Sequence, residues 1–222
     1  KTTGTPISMV IYNKTQRSTD YSDIASYYRP GHADYTFDEK YGFRDYRGGG
    51  RSSGRETIGR VAAGAIAAKL LECFGISVTA YSKSIGEVEI NLDRFDIQER
   101  DNNPVAMPDK EAAMKAQELL EGKIEEKDSV GGVVECIVKG MKAGVGEPVF
   151  DKLDARLAQA IMSIGAVKGF EVGAGFAVAN MCGSKNNDSF TTDEYNNIVK
   201  KTNNAGGILG GISDGSDIVL RA

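Results

Sequence analysis

Cysteine is scarce in this sequence: Cys73, Cys136 and Cys182 are the only three in 222 residues, widely spaced and without a CxxC pair. An odd, scattered set excludes a disulfide framework and reads as buried or free thiols of a reducing compartment. Positive charge is also in deficit. The 27 Lys and Arg face 31 Asp and Glu, a net charge of −4, so a general nucleic-acid binder is not suggested. There is no long apolar run and no secretory leader, so nothing points to export or membrane insertion, and a cytoplasmic location is expected. No ligand set for a metal is assigned. Histidine occurs once, at His32.

What is present suffices for a core. A hydrophobic content of 41% fits one large domain or two tightly joined ones. The chain opens directly into apolar, strand-like sequence at 7–12 and stops within another such stretch at 217–222, which reads as a pair of cut edges. Residues 13–55 are polar, Gly-rich and aromatic with little periodicity, a length of irregular chain that is often functional. A helix is expected over about 56–74, with Ile58, Val61, Ala62, Ala65, Leu70 and Cys73 at helical spacing and Gly75 as its C-cap. Its many small residues, from Gly59 to Ala68, suggest tight core packing.

Further on, the pattern predicts strands at 76–81 and 86–92, a helix at 109–126 burying Ala112, Ala116, Leu119 and Leu120, and a strand at 130–139. Pro148 is expected to open a helix to about Ile164. Strands are then expected at 167–172 and 176–181, a mobile surface loop at 183–189, a Gly-rich segment at 203–211 and a last strand at 217–222. Helices and strands alternate without a strict βαβ rhythm, so the class read is α+β with mostly antiparallel sheet.

The densest polar information lies between Arg29 and Arg60. Seven basic side chains (Arg29, Lys40, Arg44, Arg47, Arg51, Arg55, Arg60) outnumber five acids there, giving +2 within an acidic protein. Charge of the minority sign, gathered beside Gly48–Gly50, suggests a site for an anionic small molecule. Ser53 followed by Glu56 predicts a capping box and a helix start near Gly54, whose free N–H groups favour an anion. Arg51 and Arg55 can then fork onto carboxylate or phosphate oxygens. Each piece also has a plainer explanation. Capping boxes stabilise helices everywhere, the glycines could be a flexible turn, an Arg-Gly-Gly-Gly-Arg run could contact RNA, and a lone histidine is more often structural. The residues alone stop at an anion-binding α+β protein.

At these same residues the sequence resembles chorismate synthase. Arg29-Pro30-Gly31-His32-Ala33-Asp34-Tyr35 is similar to that family's histidine loop. The run from Tyr41-Gly42 through Arg51-Ser52-Ser53-Gly54-Arg55-Glu56-Thr57 to Ala65 resembles its central motif. Gly144–Asp151, Ser163–Gly169 and Asn204–Gly211 match further blocks, in the family's order over essentially the whole chain. The resemblance implies a homotetramer of β-α-β sandwich subunits, helices lying between two mostly antiparallel sheets. It implies conversion of 5-enolpyruvylshikimate 3-phosphate to chorismate and phosphate by a 1,4-elimination that requires reduced FMN without net redox change. Carried over by motif, His32 would transfer a proton, and Arg29, Ser53 and Arg55 would contact substrate. Arg51, Ser52, Ser53, Gly165, Ala166 and Gly210 would contact FMN, and no nucleic acid or membrane partner is implied. Where the family usually has Asn, this chain has Gly165. The family's second catalytic histidine, its flavin-binding lysine segment and its catalytic aspartate fall outside this sequence, so the chain alone is expected to be inactive. The alternative reading is a non-catalytic flavin- or phosphate-binding module.

Overall fold

The computed structural model describes residues 2–14, 23–47 and 50–222. Its helices are α1 (Asp34–Tyr41), α2 (Thr57–Glu72), α3 (Lys110–Glu125), α4 (Leu153–Met162) and the one-turn α5 (Gly183–Asn186). Its strands are β1 (Ser77–Ile85), β2 (Val88–Glu89), β3 (Gly132–Lys139), β4 (Glu171–Val172), β5 (Phe190–Thr192), β6 (Ile198–Lys200), β7 (Ile208–Leu209), β8 (Ile212–Ser213) and β9 (Ile218–Arg221). The class is α+β with antiparallel pairing throughout, as expected. The chain divides into two compact units, residues 1–69 and 70–222.

The second unit is built on a five-stranded sheet of order β2-β1-β3-β9-β4. Strand alternation sends consecutive β3 side chains to opposite faces. Ile137 joins Tyr81, Met107 and the buried Ala112, Ala113 and Ala116 of α3. Cys136 and Val138 join Ile218, Leu220, Ile208 and the α4 residues Leu153 and Leu157. One helix therefore covers each face, and the two clusters are the hydrophobic core of this unit. A single polar row crosses one face. Tyr81 lies opposite Glu135, Glu135 opposite Arg221, and Arg221 opposite Glu171, linking β1, β3, β9 and β4. Tyr81 Oη donates to Glu135 at 2.5 Å, and Arg221 donates to Glu135 at 3.1 Å and to Glu171 at 3.0 Å.

Helix α3 follows the sequence reading closely. Asp109 is its N-cap, accepting from the Glu111 and Ala112 amides, while Arg94 Nε and Nη2 fork onto the same carboxylate at 3.1 and 2.9 Å. Helix α2 ends at a Schellman motif, with Ile76 N–H donating to Leu71 O and Gly75 N–H to Glu72 O. Gly75 takes φ 74°, which explains the glycine there.

Several expectations are corrected. Residues 7–12 form no strand: they carry no regular structure and are exposed, and no described strand pairs with them. None of the α2 residues is buried, so its apolar and small side chains stay solvent-accessible rather than packed into a core. The strand expected at 86–92 is only β2, because Asn91 caps a 3-10 turn at Leu92–Arg94. Leu119 and Leu120 are half-buried. Helix α4 starts at Leu153 rather than Pro148, with Leu153 N–H donating to Gly211 O. Only Glu171–Val172 of 167–172 is strand, and 176–181 is largely a 3-10 helix, Gly175–Asn180. The Glu171 carboxylate takes the Phe176 amide and so favours that turn over a strand. The polar stretch 183–189 begins with α5, and the hairpin β5–β6 beyond it was not anticipated. The cysteines are free as expected, but Cys73 and Cys182 are exposed.

Asp109 tests how this unit is held. Burial opposes its charge, but hydrogen bonds from Arg94 and from the Asn91 and Ala112 amides hold its pKa at about 2. Asp109→Ala should cost about 2–4 kcal/mol, through a lost cap and the lost fork from Arg94, read by urea unfolding at pH 7. Because the folded pKa is depressed, the stabilisation is full above the unfolded carboxylate range. The difference between the variant and the native chain should therefore shrink as pH falls from about 4 towards 2.

Candidate functional site

In the first unit the loop before α1 closes on Asp34. Arg29 donates to this carboxylate from its amide (3.0 Å), Nε (2.9 Å) and Nη2 (2.9 Å). Arg44 approaches Asp34 from Nη1 (3.2 Å) and Asp38 from Nε (3.3 Å), and donates from Nη2 to the Ile24 and Tyr27 carbonyls at 2.9 Å. Hydrogen bonds from the Arg29 side chain, against the effect of burial, push the Asp34 pKa well below the usual carboxylate range. His32 stands at the exposed turn between them, its Nδ1 3.0 Å from the Pro30 carbonyl. A carbonyl only accepts, so Nδ1 is the donor in this contact.

The predicted helix start is present in altered form. Ser53 caps a 3-10 turn at Gly54–Glu56 that runs into α2, and its Oγ accepts from the Arg55 amide at 3.3 Å. Glu56 does not return to Ser53. The Ser53 amide already donates to Gly50 O, so the Glu56 carboxylate instead pairs with Arg51 at 3.2 Å. That pair is largely in water, Arg51 being 89% exposed, so a ligand anion can displace it at little cost. A cleft of about 560 Å³ opens here, lined among others by Tyr12, Lys14, Arg51, Arg55, Ile58 and Gly59. It brings Arg51 and Arg55 together with a third cation, Lys14, which the sequence reading missed because nothing local marks it. Arg29 and His32 do not line this cleft, and Gly48 and Gly49 lie outside the described residues.

The other carried-over positions fall in the second unit. Gly165 and Ala166 follow the C-terminus of α4, with Ala166 at φ 69°. A Cβ at Gly165 would meet nothing within 4 Å. Gly210 and Gly211, at φ 61° and 86°, form the two-residue turn between β7 and β8, a type I′ geometry that glycine suits. Gly211 O accepts the Leu153 amide, so this turn sits at the N-terminus of α4. The ten residues of α4 therefore separate the two positions by ~15 Å, and a ligand meeting both would have to be elongated.

The Gly-rich segment is held by a group that sequence reasoning missed. Lys200 Nζ, 2% exposed, donates to Asp214 (2.7 Å), Asn203 (3.1 Å) and Asp188 (3.3 Å). Asp188 also accepts from Thr202 Oγ1 and from the Asn204 and Ala205 amides. The alternation of Phe190–Thr192 and Ile198–Lys200 around an Asp-Glu-Tyr-Asn-Asn turn was the available signal. It signals the hairpin, not where the ammonium ends up.

An α+β chain with an exposed arginine cleft and glycine-built turns has the groups that an anionic ligand requires. The chain belongs to the chorismate synthase family, whose family model matches residues 1–222. A chorismate synthase of Lachnospira eligens is 66% identical over 222 residues, covering 100% of this chain and 60% of that protein. The chorismate synthase of Lachnoclostridium phytofermentans is 65% identical with the same coverage, and that of Methanococcoides burtonii 54% identical, covering 61% of its length. A chorismate synthase crystal structure superposes with a TM-score of 0.78 at 33% identity, covering 85% of this chain and 61% of that one. The chain thus spans about three fifths of the length of these relatives. Among the described residues no helix is long and apolar enough to cross a membrane.

Lys200→Met tests the anchoring of the Gly-rich segment. It leaves Asp188 and Asp214 buried without their cation, so amides 205–207 should lose about 3–5 kcal/mol of protection in hydrogen exchange. The α3 amides should be unaffected if the loss is local. Asp188 has its own acid signature: burial works against its charge, but Thr202, the Ala205 and Asn204 amides and Lys200 hold its pKa at about 2. Protection of the same segment should be full above pH 4 and fall as that pKa is approached.

Proposed function

We propose that this chain carries part of the active site of a cytoplasmic, homotetrameric chorismate synthase. The reaction is the 1,4-elimination of phosphate from 5-enolpyruvylshikimate 3-phosphate, in the presence of reduced FMN, to give chorismate. The observation that carries this reading is the cleft in which Arg51, Arg55 and Lys14 converge, within a chain matched to the family along its whole length.

The residues fit the groups concerned. A substrate with a phosphate and two carboxylates beside a flavin phosphate requires several cations, and exposed arginines can fork onto such oxygens. Arg29, Ser53 and Arg55 would hold the substrate. By the motif match, Arg51, Ser52, Ser53, Gly165, Ala166 and Gly210 are the residues that would contact FMN. Tyr12 and Ile58 give the cleft apolar surface for a ring, and the open space at Gly165 and Gly210 lets a ligand approach backbone. When bound, reduced FMN supplies electron density transiently and recovers it, which is why no net redox change results. The chain's own contribution is placement, cation stabilisation of the departing phosphate, and proton exchange at His32 Nε2.

Three measurements test this. Titration with reduced FMN and 5-enolpyruvylshikimate 3-phosphate should show weak binding, reduced about tenfold or more by Arg51→Ala or Arg55→Ala. Gly165→Asn should leave thermal unfolding unchanged, since the Cβ meets nothing, and should tighten FMN binding if the family's usual side-chain contact is restored. The 222-residue chain alone should form no measurable chorismate, because His32 is its only histidine and each missing acid or base typically costs about 10²–10⁴-fold. Robust turnover by the purified chain would sink this account of the mechanism. Phosphate binding without any flavin binding would favour a simple anion-binding module instead.

A further inference from the structure

The carboxylate of Asp34, the first residue of α1, is 8% exposed although the segment before it is irregular and near the surface. Both of its oxygens are engaged. Oδ2 takes the Arg29 amide and Nε, and Oδ1 takes Arg29 Nη2 and lies 3.2 Å from Arg44 Nη1. Arg44 in turn is 9% exposed, lies over the Tyr28 ring at 5.1 Å and ties down the Ile24, Ala25 and Tyr27 carbonyls. The segment between Arg29 and Asp34 is thereby closed at both ends, and His32 is its apex, with its own amide donating to Arg29 O.

We propose that Asp34 is a positioning residue: held by Arg44, it fixes the Arg29 guanidinium and the His32 turn in the arrangement that receives the anionic substrate. This rests on the substrate roles proposed above for Arg29 and His32. The physical reason is pre-organisation. A free arginine loses rotamer freedom when it meets an anion, whereas Arg29 has already lost it to Asp34. Fixing the loop also keeps the Pro30 carbonyl against His32 Nδ1, which leaves the proton-accepting lone pair on Nε2. The second acid of this cluster among the described residues, Asp38, meets Arg44 Nε at 3.3 Å.

The test uses the 222-residue chain and near-isosteric substitution. Asp34→Asn keeps the shape but sets an amide NH2 against an arginine N–H, so one fork must open. In ligand-free protein the single histidine gives one imidazole signal pair, and a bonded Arg29 Nε–H gives a slowly exchanging signal. In Asp34→Asn the Arg29 Nε–H should exchange at least about tenfold faster, and His32 should lose its bias to the Nδ1–H tautomer. Binding of 5-enolpyruvylshikimate 3-phosphate in the presence of reduced FMN should weaken about tenfold, while α3 and the five-stranded sheet keep their amide protection. Arg44→Lys, which leaves Asp34 in place but cannot reach two carboxylates and three carbonyls at once, should move the same signals in the same direction. This second variant decides the matter if Asp34→Asn does not fold.

Unchanged Arg29 and His32 signals in these variants would overturn the proposal, as would native-strength substrate binding by a chain whose signals have moved. If the native chain does not bind the substrate at all, the proposed function fails. The ligand-free spectra then still decide whether Asp34 orients the loop.

Discussion

The row Tyr81–Glu135–Arg221–Glu171 is the interaction on which the second unit depends. Across four strands Tyr81, one acid, one arginine and a second acid fall directly opposite each other, from the eight-pair β1–β3 ladder to the two-pair β4–β9 ladder. A slip of one residue would turn every one of these groups to the other face and strand them among the Cys136, Val138 and Leu220 side chains. Arg221 also donates to the Gly173 carbonyl, which brings the end of β4 against Asn204 and Gly206. The placement of the Gly-rich turn thus follows from the sheet register.

The cations of the chain divide by burial into two kinds. The Lys200 and Arg44 side chains are largely buried and that of Arg221 is half-buried; all three are paired with acids, and they hold a glycine loop, a surface loop and strands respectively. Arg51 is exposed beside Arg55, and its pairing is weak enough to give way to a ligand. Removing a member of the first kind should damage structure, while removing one of the second should damage binding. Arg29 stands between the kinds, structurally tied to Asp34 and yet at the position expected to meet substrate.

Local patterns made several elements readable. The spacing of Ala112, Ala116, Leu119 and Leu120 after Pro108-Asp109 gave α3, Gly75 marked the end of α2, and Ser53 marked the start of its helical turn. Each of these signals acts within a few residues. The failures came where a local pattern was outbid by a distant partner or had none. Phe176 joined a 3-10 turn because Glu171 takes its amide, and α4 begins where Leu153 meets Gly211 rather than at Pro148. Apolar residues 7–12 read as a strand, but a strand needs a neighbour to accept its ladder bonds, and no described strand provides one.

By itself the sequence determined the α+β class, the helix caps, the cluster of arginines around Ser53 and the family to which these motifs belong. All of these are properties of composition or of neighbours along the chain. Only the tertiary structure decided which of the seven basic residues between Arg29 and Arg60 are committed to internal acids, that Lys14 joins Arg51 and Arg55, and that Lys200 ties Asn203 to Asp188 and Asp214. The physical reason is that charge pairing is decided by distance in space and by burial. An arginine reads the same in the sequence whether it ends 9% exposed between two aspartates or 89% exposed at the rim of a cleft.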